Sequence, residues 1–165
     1  MHKTFALALL GSAVLAAPAI AADAQLRPDQ QAFRSLYKEM VETDTSITTG
    51  SCTALADKVE AHLRARGFTD AEINRFAAPD HPKEGGIVVV YRGTSKTLKP
   101  MLLLGHLDVV VAKREDWTRD PYTMIEEGGY FYGRGTSDMK AMDAIWVDML
   151  ERFRQQGYKI GRAHV

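Results

Sequence analysis

The feature that most constrains the fold is a continuous apolar run at residues 101–104 (MLLL), which leads directly into GHLD at residues 105–108. Runs of this kind are typical of strands that are buried on both faces, as in sheets covered by helices on either side. A second run rich in β-branched residues, at 87–91, predicts a neighbouring strand in the same sheet. We therefore expect a sheet with helices packed on its faces.

Three segments have the apolar spacing of amphipathic helices, with every third or fourth side chain on one face. They are residues 27–43, residues 53–66 and residues 140–156. The sequence TDAE at 69–72 matches a capping box and predicts a fourth helix, which must be short because Pro79 and Pro82 soon interrupt it. Residues 122–132 predict a hairpin with EEGG at its turn. Helices alternating with strands predict the α/β class.

Composition limits the classes of function. The 165 residues suit one modest domain, and 21 basic and 21 acidic side chains give a formal net charge of zero. This balance argues against a nucleic-acid partner and against a polybasic membrane-binding surface. Cys52 is the single cysteine, so any metal ion must be held by histidine and carboxylate groups. We interpret Cys52 as a small buried residue, not a reactive thiol.

Residues 1–24 have the pattern of a secretory signal peptide. Lys3 lies near the start, residues 5–17 are apolar, and small residues follow with A-x-A spacing. The apolar run is shorter than the roughly 20 residues that span a bilayer. We expect cleavage after Ala21 or Ala24, a periplasmic or secreted mature protein, and no membrane association after cleavage. The alternative is a buried or anchoring N-terminal helix.

Candidate metal ligands follow two predicted strands. His106 and Asp108 lie just after the run at 101–104, where ligand groups collect in α/β sheets. Residues two apart in an extended chain share a side, so His106 could ligate a metal ion while Asp108 orients it. Asp138 lies in a glycine-rich loop, and a carboxylate can bridge two cations about 3.5 to 4 Å apart. Taken alone, His106 is more often a structural histidine and Asp138 a helix N-cap.

In combination, three stretches resemble one family. They are LLLGHLDVV at 102–110, DWTRDP at 116–121 and YFYGRGTSDMK at 130–140. They are similar to the co-catalytic di-zinc metallopeptidases, the family of acetylornithine deacetylase, succinyl-diaminopimelate desuccinylase, glutamate carboxypeptidase, aminoacylase and carnosinase-like dipeptidases. The resemblance covers roughly residues 28–159. It implies the N-terminal part of a three-layer, sandwich-like α/β catalytic domain whose lid domain is missing.

The resemblance also implies roles for individual residues. His106 would ligate one zinc ion, Asp138 would bridge two, and the catalytic role of Asp108 would be to orient and polarise His106. No other cofactor-binding residue is implied. The peptide bond between Asp138 and Met139 is expected to be cis. Trp117 and Pro121 match a loop near the substrate entrance, and burial in the core is the alternative for both.

The activity that the resemblance implies is zinc-dependent cleavage of amide bonds in small peptides or N-acyl amino acids, with dimerisation through the lid. Such enzymes also need a Glu-Glu pair, a further acidic ligand and a late histidine, and these do not follow Lys140 here. Glu126 and Glu127 precede Asp138 in a predicted exposed hairpin, so they are not given this role. We therefore expect an inactive fragment. The alternatives are an exported non-catalytic binding or scaffold domain and a magnesium-type phosphohydrolase.

The last six residues, IGRAHV at 160–165, are the translation of ATC GGA AGA GCA CAC GTC. This nucleotide sequence begins a widely used sequencing-library adapter. We hypothesise that residues 160–165 are adapter read-through and that the natural protein continues after Lys159. The expected division is therefore a signal peptide at 1–24, the N-terminal part of a catalytic domain at 25–159, and an adapter-derived tail.

Overall fold

The structure is a computed structural model that describes residues 25–161. The predicted signal peptide and residues 162–165 of the tail lie outside the described residues. The elements are α1 (Pro28–Glu42), α2 (Cys52–Ala65), β1 (Ile73–Ala78), β2 (His81–Val89), a 3₁₀ turn (Arg114–Asp116), β3 (Ile125–Glu127), β4 (Tyr130–Tyr132) and α3 (Lys140–Gln155). The three amphipathic helices and the predicted hairpin within residues 122–132 are confirmed. No helix within 25–161 is long and apolar enough to cross a membrane.

Local sequence signals explain where the helices begin. Pro28 occupies the first turn of α1. Proline has no backbone N–H, and N–H groups in the first turn have no acceptor within the helix, so no hydrogen bond is lost there. At the start of α2 the backbone N–H of Ala54 donates to Ser51 Oγ at 3.1 Å. The N-cap of α3 is Met139, which makes no side-chain capping bond. Asp138 is therefore not the helix cap that its position suggested, and its carboxylate is free for other contacts.

The core lies between the three helices and the β1–β2 hairpin. α1 packs against α3, and α2 lies across β2. The buried apolar side chains form one cluster: Leu36, Tyr37, Met40, Val41, Leu55, Val59, Leu63, Phe68, Ile73, Tyr91, Met124, Ala144, Val147, Leu150 and Ile160. Ile160, the first residue of the adapter-like tail, is 6% exposed and its carbonyl accepts from Thr94 N–H at 3.0 Å. The origin of the tail stays a prediction.

The fourth predicted helix was wrong. Half of the capping box forms, since Thr69 N–H donates to the Glu72 carboxylate at 3.0 Å. The Glu72 N–H donates to the carbonyl of Thr69, also at 3.0 Å, and not to its hydroxyl. The chain then enters β1, which pairs antiparallel with β2 from Ile73↔Val89 to Ala77↔Gly85. Pairing with a later segment outweighed the local helix signal, because the contacts of a strand with its neighbours decide its stability more than intrinsic propensity.

The prediction that residues 101–104 form a strand beside residues 87–91 was also wrong. Within the described chain, residues 102–105 make no backbone–backbone hydrogen bond and belong to neither two-stranded sheet. β2 pairs with β1 on one edge, and a groove lined by residues 83–89 and 102–111 lies between its other edge and this run. The apolar composition predicted a strand, and residues 102–105 are not in one. It carried no information about the partner, which the topology decides.

The loop after α1 is tightly closed on itself at Gly50. Gly50 N–H donates to the Ser46 carbonyl and Ser51 N–H donates to the Asp44 carbonyl, each at 2.9 Å. A Cβ at Gly50 would lie 2.4 Å from Ser46 N and 2.6 Å from the carbonyl atoms of Asp44. These are backbone atoms, which cannot rotate away.

We therefore expect Gly50→Ala to lower the free energy of unfolding by about 1–3 kcal/mol. Urea unfolding followed by tryptophan fluorescence measures this. Gly161→Ala is the control, because the nearest atom to its new Cβ is 3.9 Å away, and we expect it to change stability by less than about 0.5 kcal/mol. Equal effects of the two substitutions would contradict the steric argument.

Candidate metal centre

The structure brings His106, Asp108 and Asp138 together. The Nε2 of His106 lies 3.1 Å from Oδ1 of Asp138. Its Nδ1 lies 3.1 Å from the backbone oxygen of Asp108 and 3.3 Å from the Oδ1 of the same residue. These side chains line a pocket of about 210 Å³, and that of Asp138 is 86% exposed. The three residues predicted from the sequence therefore share one accessible site.

The segment that carries His106 is held by the loop after α1. Thr45 Oγ1 donates to the carbonyl of Leu107 at 2.7 Å, and Val109 N–H donates to the carbonyl of Thr45 at 3.3 Å. Thr45 is 1% exposed, so these bonds are shielded from water. They fix the backbone on both sides of Asp108. No sequence pattern identifies Thr45, because its partner Leu107 is 62 residues away.

The glycine-rich loop is held between α1 and α3. The hydroxyl of Tyr37 in α1 donates to the carbonyl of Thr136 at 2.7 Å, and Lys140 N–H donates to the carbonyl of Gly135 at 3.1 Å. Gly135 has φ +83°, and a Cβ there would lie 2.8 Å from a Val109 methyl group, so this position favours glycine. The Asp138–Met139 peptide bond is cis, as the resemblance implies.

Two buried charged residues of α3 lie beneath the site. Lys140 is fully buried, and its Nζ donates to the carbonyl of Thr43 at 2.6 Å. Burial lowers the pKa of Lys140 to about 8. Asp143 is 7% exposed, and burial raises its pKa to about 6. The sequence analysis missed Asp143, although it shares the inward face of α3 with Val147 and Leu150 at spacings of four and three.

Other residues singled out from the sequence lie away from His106 and Asp138. The side chains of Glu126 and Glu127 are 44% and 62% exposed and pair with Arg34 and Arg119, respectively. Cys52 is half-buried, and burial raises the pKa of its thiol, which fits an unreactive residue.

The matched entrance loop divides between surface and interior. Pro121 is fully buried. Trp117 is half-buried, and its ring lies 5.1 Å from the guanidinium carbon of Arg134. The burial alternative therefore holds for Pro121.

The hydrogen bonds of His106 indicate that the site suits a cation. Both ring nitrogens face oxygen acceptors, but a neutral imidazole has only one N–H. Burial acts to lower the pKa of His106, and the Asp108 carbonyl and the Asp138 carboxylate outweigh it, so the pKa is raised. Either a second proton or a metal ion satisfies the contact between Nε2 and Asp138.

The spacing of the two donors also fits a metal ion. Tetrahedral zinc with bonds of about 2.0–2.2 Å places neighbouring ligand atoms about 3.3 Å apart, close to the observed 3.1 Å between Nε2 and Asp138 Oδ1. However, no group of three or more His, Cys, Asp or Glu side chains within 25–161 could hold a metal ion. The described chain therefore offers part of a ligand set.

Comparison with known proteins places this site in a family. The sequence model of the family described as "Peptidase family M20/M25/M40" matches residues 102–165, which include His106, Asp108 and Asp138. The match covers 64 of the 165 residues and shows a likeness of this part of the chain to the family. The resemblance predicted from the motifs is therefore confirmed.

Curated relatives of the M20/M25/M40 family match only part of this chain. Aminoacylase-1 from Sus scrofa is 36% identical over 76 residues, which are 46% of this chain and 19% of that protein. Acetylornithine deacetylase from Dictyostelium discoideum is 42% identical over 74 residues, 42% of this chain and 17% of that protein. The chain thus matches about a fifth of the length of these curated relatives.

A solved structure confirms the fold class. Human carnosine dipeptidase 1 matches 81% of this chain and 30% of its own chain, with a TM-score of 0.64 and 22% sequence identity. The mixed helix and strand arrangement therefore has the fold of part of that structure. The α/β prediction is confirmed.

Proposed function

We propose that this chain supplies His106, Asp108 and Asp138 to the di-zinc centre of a hydrolase that cleaves amide bonds in small peptides or N-acyl amino acids. The single observation that carries the proposal is the 3.1 Å contact between His106 Nε2 and Asp138 Oδ1 in an exposed pocket. The family match of residues 102–165 supports it. Neither the comparisons nor the contacts of residues 25–161 offer an observation in favour of the non-catalytic alternative or the phosphohydrolase.

His106, Asp108 and Asp138 have distinct roles in this proposal. The Nδ1–H of His106 faces the backbone oxygen of Asp108 at 3.1 Å and the side-chain Oδ1 of Asp108 at 3.3 Å, which leaves the Nε2 lone pair directed at Asp138. Thr45 keeps the backbone around Asp108 in place. Asp138 projects into the pocket with two oxygens, enough to contact two cations. Zinc in such a centre polarises a carbonyl group and supplies a nucleophile at neutral pH.

The 165-residue chain by itself is expected to bind zinc weakly and to show no peptidase activity. Two protein ligands leave most coordination positions of each ion to water. Metal affinity is lower when fewer protein ligands are available. Isothermal titration of zinc into the EDTA-treated chain measures the affinity. Tight stoichiometric binding with turnover of a dipeptide would contradict the fragment interpretation.

Substitutions test whether weak zinc binding occurs at this site. We expect His106→Ala and Asp138→Asn each to weaken zinc binding at least tenfold, and Asp108→Asn to weaken it about tenfold or more through the orientation of His106. His81→Ala and Asp70→Asn are the controls, since the side chains of His81 and Asp70 are 64% and 94% exposed. Cobalt absorption spectra report loss of the imidazole ligand directly. Equal zinc affinity in the site variants and the controls would refute the assignment.

We also propose that the protein is exported to the periplasm or secreted. The pattern of residues 1–24 supports this proposal. N-terminal sequencing of the protein expressed in a bacterial host is expected to begin at Ala22 or Gln25. An intact N-terminus at Met1 would refute it. Dimerisation through a lid domain stays a prediction.

A further inference from the structure

Lys140, the first residue of α3, is fully enclosed by the fold. It is 0% exposed, and among residues 25–161 its ammonium group forms no ion pair with a carboxylate. Its Nζ donates to the carbonyl of Thr43 at 2.6 Å. A buried ammonium group without a charged partner lowers stability, whereas an apolar side chain of similar length fills the same space without that penalty. Stability therefore does not explain a lysine at this position.

The hydrogen bond of Lys140 holds the loop that supports the segment of His106. Thr43 ends α1, and its carbonyl accepts from the lysine. Two residues later, Thr45 Oγ1 donates to the carbonyl of Leu107 at 2.7 Å. Thr43 and Thr45 are 8% and 1% exposed, so water competes little for these bonds. A series of buried contacts thus runs from Lys140 through this loop to the residue that follows His106.

The same lysine contacts the loop that carries Asp138. Its backbone N–H donates to the carbonyl of Gly135 at 3.1 Å. A Cβ added at Gly135 would lie 3.1 Å from Cδ of Lys140 and 2.8 Å from a methyl carbon of Val109. The lysine stem and Val109 therefore pack against the same glycine. Lys140 links the loop of Asp138 to the loop that supports the other candidate ligand.

We propose that Lys140 is a positioning residue of the metal centre, which holds the loop after α1 against the start of α3 and so sets the distance between His106 and Asp138. This inference rests on the proposed function, since it concerns the support of the same site. The side chains of His106 and Asp138 are 48% and 86% exposed. Packing around them contributes little to their separation, which the backbone segments behind them set.

The first test uses the full 165-residue chain in EDTA, without a metal ion. Lys140→Met removes the ammonium group and keeps an apolar stem of similar length. We expect amide hydrogen exchange at Val109, whose N–H donates to the carbonyl of Thr45, to become at least tenfold faster, with unchanged exchange in α2. Unchanged exchange at Val109 would overturn the proposal. Equal acceleration at Val109 and throughout α2 would also overturn it, because it indicates general destabilisation.

The second test is the zinc affinity of EDTA-treated protein, measured by isothermal titration. We expect Lys140→Met to weaken zinc binding at least tenfold, as for other groups that orient metal ligands, with unchanged circular dichroism. Leu63→Ala is the control, since Leu63 is fully buried but does not line the pocket of the candidate ligands. It should lower the urea midpoint and leave zinc affinity within about twofold. A lysine with a merely structural role would behave like Leu63.

A second variant removes the other end of the same series of contacts. Thr45→Val deletes the hydroxyl that donates to Leu107 and keeps a side chain of nearly the same shape. We expect it to weaken zinc binding at least fivefold. The double variant should bind within about twofold of Lys140→Met, because residues in one series of contacts do not act independently. Multiplied effects of the two substitutions would contradict the proposed link.

His106→Ala separates the failure of this inference from the failure of the proposed function. Weaker zinc binding in His106→Ala, with unchanged binding in Lys140→Met and Thr45→Val, overturns the positioning role and leaves the proposed function in place. Unchanged binding in His106→Ala refutes the proposed function and, with it, this inference.

Discussion

Replacing Leu63 with alanine is expected to lower the free energy of unfolding by about 2–5 kcal/mol. Leu63 is fully buried in the cluster between the helices and the β1–β2 hairpin. The alanine variant leaves an apolar cavity that water does not fill favourably. The surrounding helices and strands can close this cavity only in part. Urea unfolding of the 165-residue chain, followed by tryptophan fluorescence, measures the change in midpoint and slope.

Leu104→Ala is the matched control for Leu63→Ala. It removes the same atoms from a leucine that is 79% exposed. We expect its effect to stay within about 0.5 kcal/mol, as for most surface substitutions. A similar loss in both variants would mean that the segment 102–108 is packed in solution and that the groove is closed. A loss below about 0.5 kcal/mol for Leu63→Ala would contradict the position of the core.

The second large effect concerns Asp143. Burial raises its pKa to about 6 from 3.8, a difference of about two pKa units, which is worth about 3 kcal/mol. The folded chain therefore binds the proton more tightly than the unfolded chain. The sign follows: the stability contributed by protonated Asp143 is present below about pH 4 and is lost as the pH rises to about 6.

We expect Asp143→Asn to remove the loss of stability that occurs as the pH rises from about 4 to about 6. At pH 7.5 in EDTA the variant should be more stable than the unsubstituted chain by about 2–3 kcal/mol, because the unpaired buried charge is gone. At pH 4 the two proteins should have similar stability. Urea unfolding at intervals from pH 4 to pH 8 gives the difference curve. The raised pKa of His106 also lowers stability as the pH rises, in both proteins. The His106 charge lowers the pKa of Asp143, so this interaction is part of the difference between them.

Asp148→Asn provides the control for the pH series. Asp148 lies on the same helix, and its carboxylate pairs with Arg152 at 2.6 Å, so it lacks the unpaired buried oxygen of Asp143. We expect no stabilisation from this change at pH 7.5. Stabilisation by Asp148→Asn equal to that by Asp143→Asn would indicate a general charge effect on α3. A flat difference curve for Asp143→Asn would mean that water reaches the carboxylate.

The sequence by itself determined the helices and the identity of the candidate ligands. Apolar spacing sets α1, α2 and α3, since each buries one face and its period is a property of the local sequence. The stretches around His106 and Asp138 carried the family resemblance, which the match of residues 102–165 confirms. These features depend on residues close together in the chain or on residue type.

The tertiary structure alone decided which distant segments meet. It placed β1 beside β2 in spite of a local helix signal, and left residues 102–105 without a backbone partner. It brought Thr45 to the carbonyl of Leu107 and buried Asp143 beneath the site. The physical reason is that strand pairing and the burial of single polar groups depend on contacts between residues far apart in sequence, and no local periodicity records those contacts.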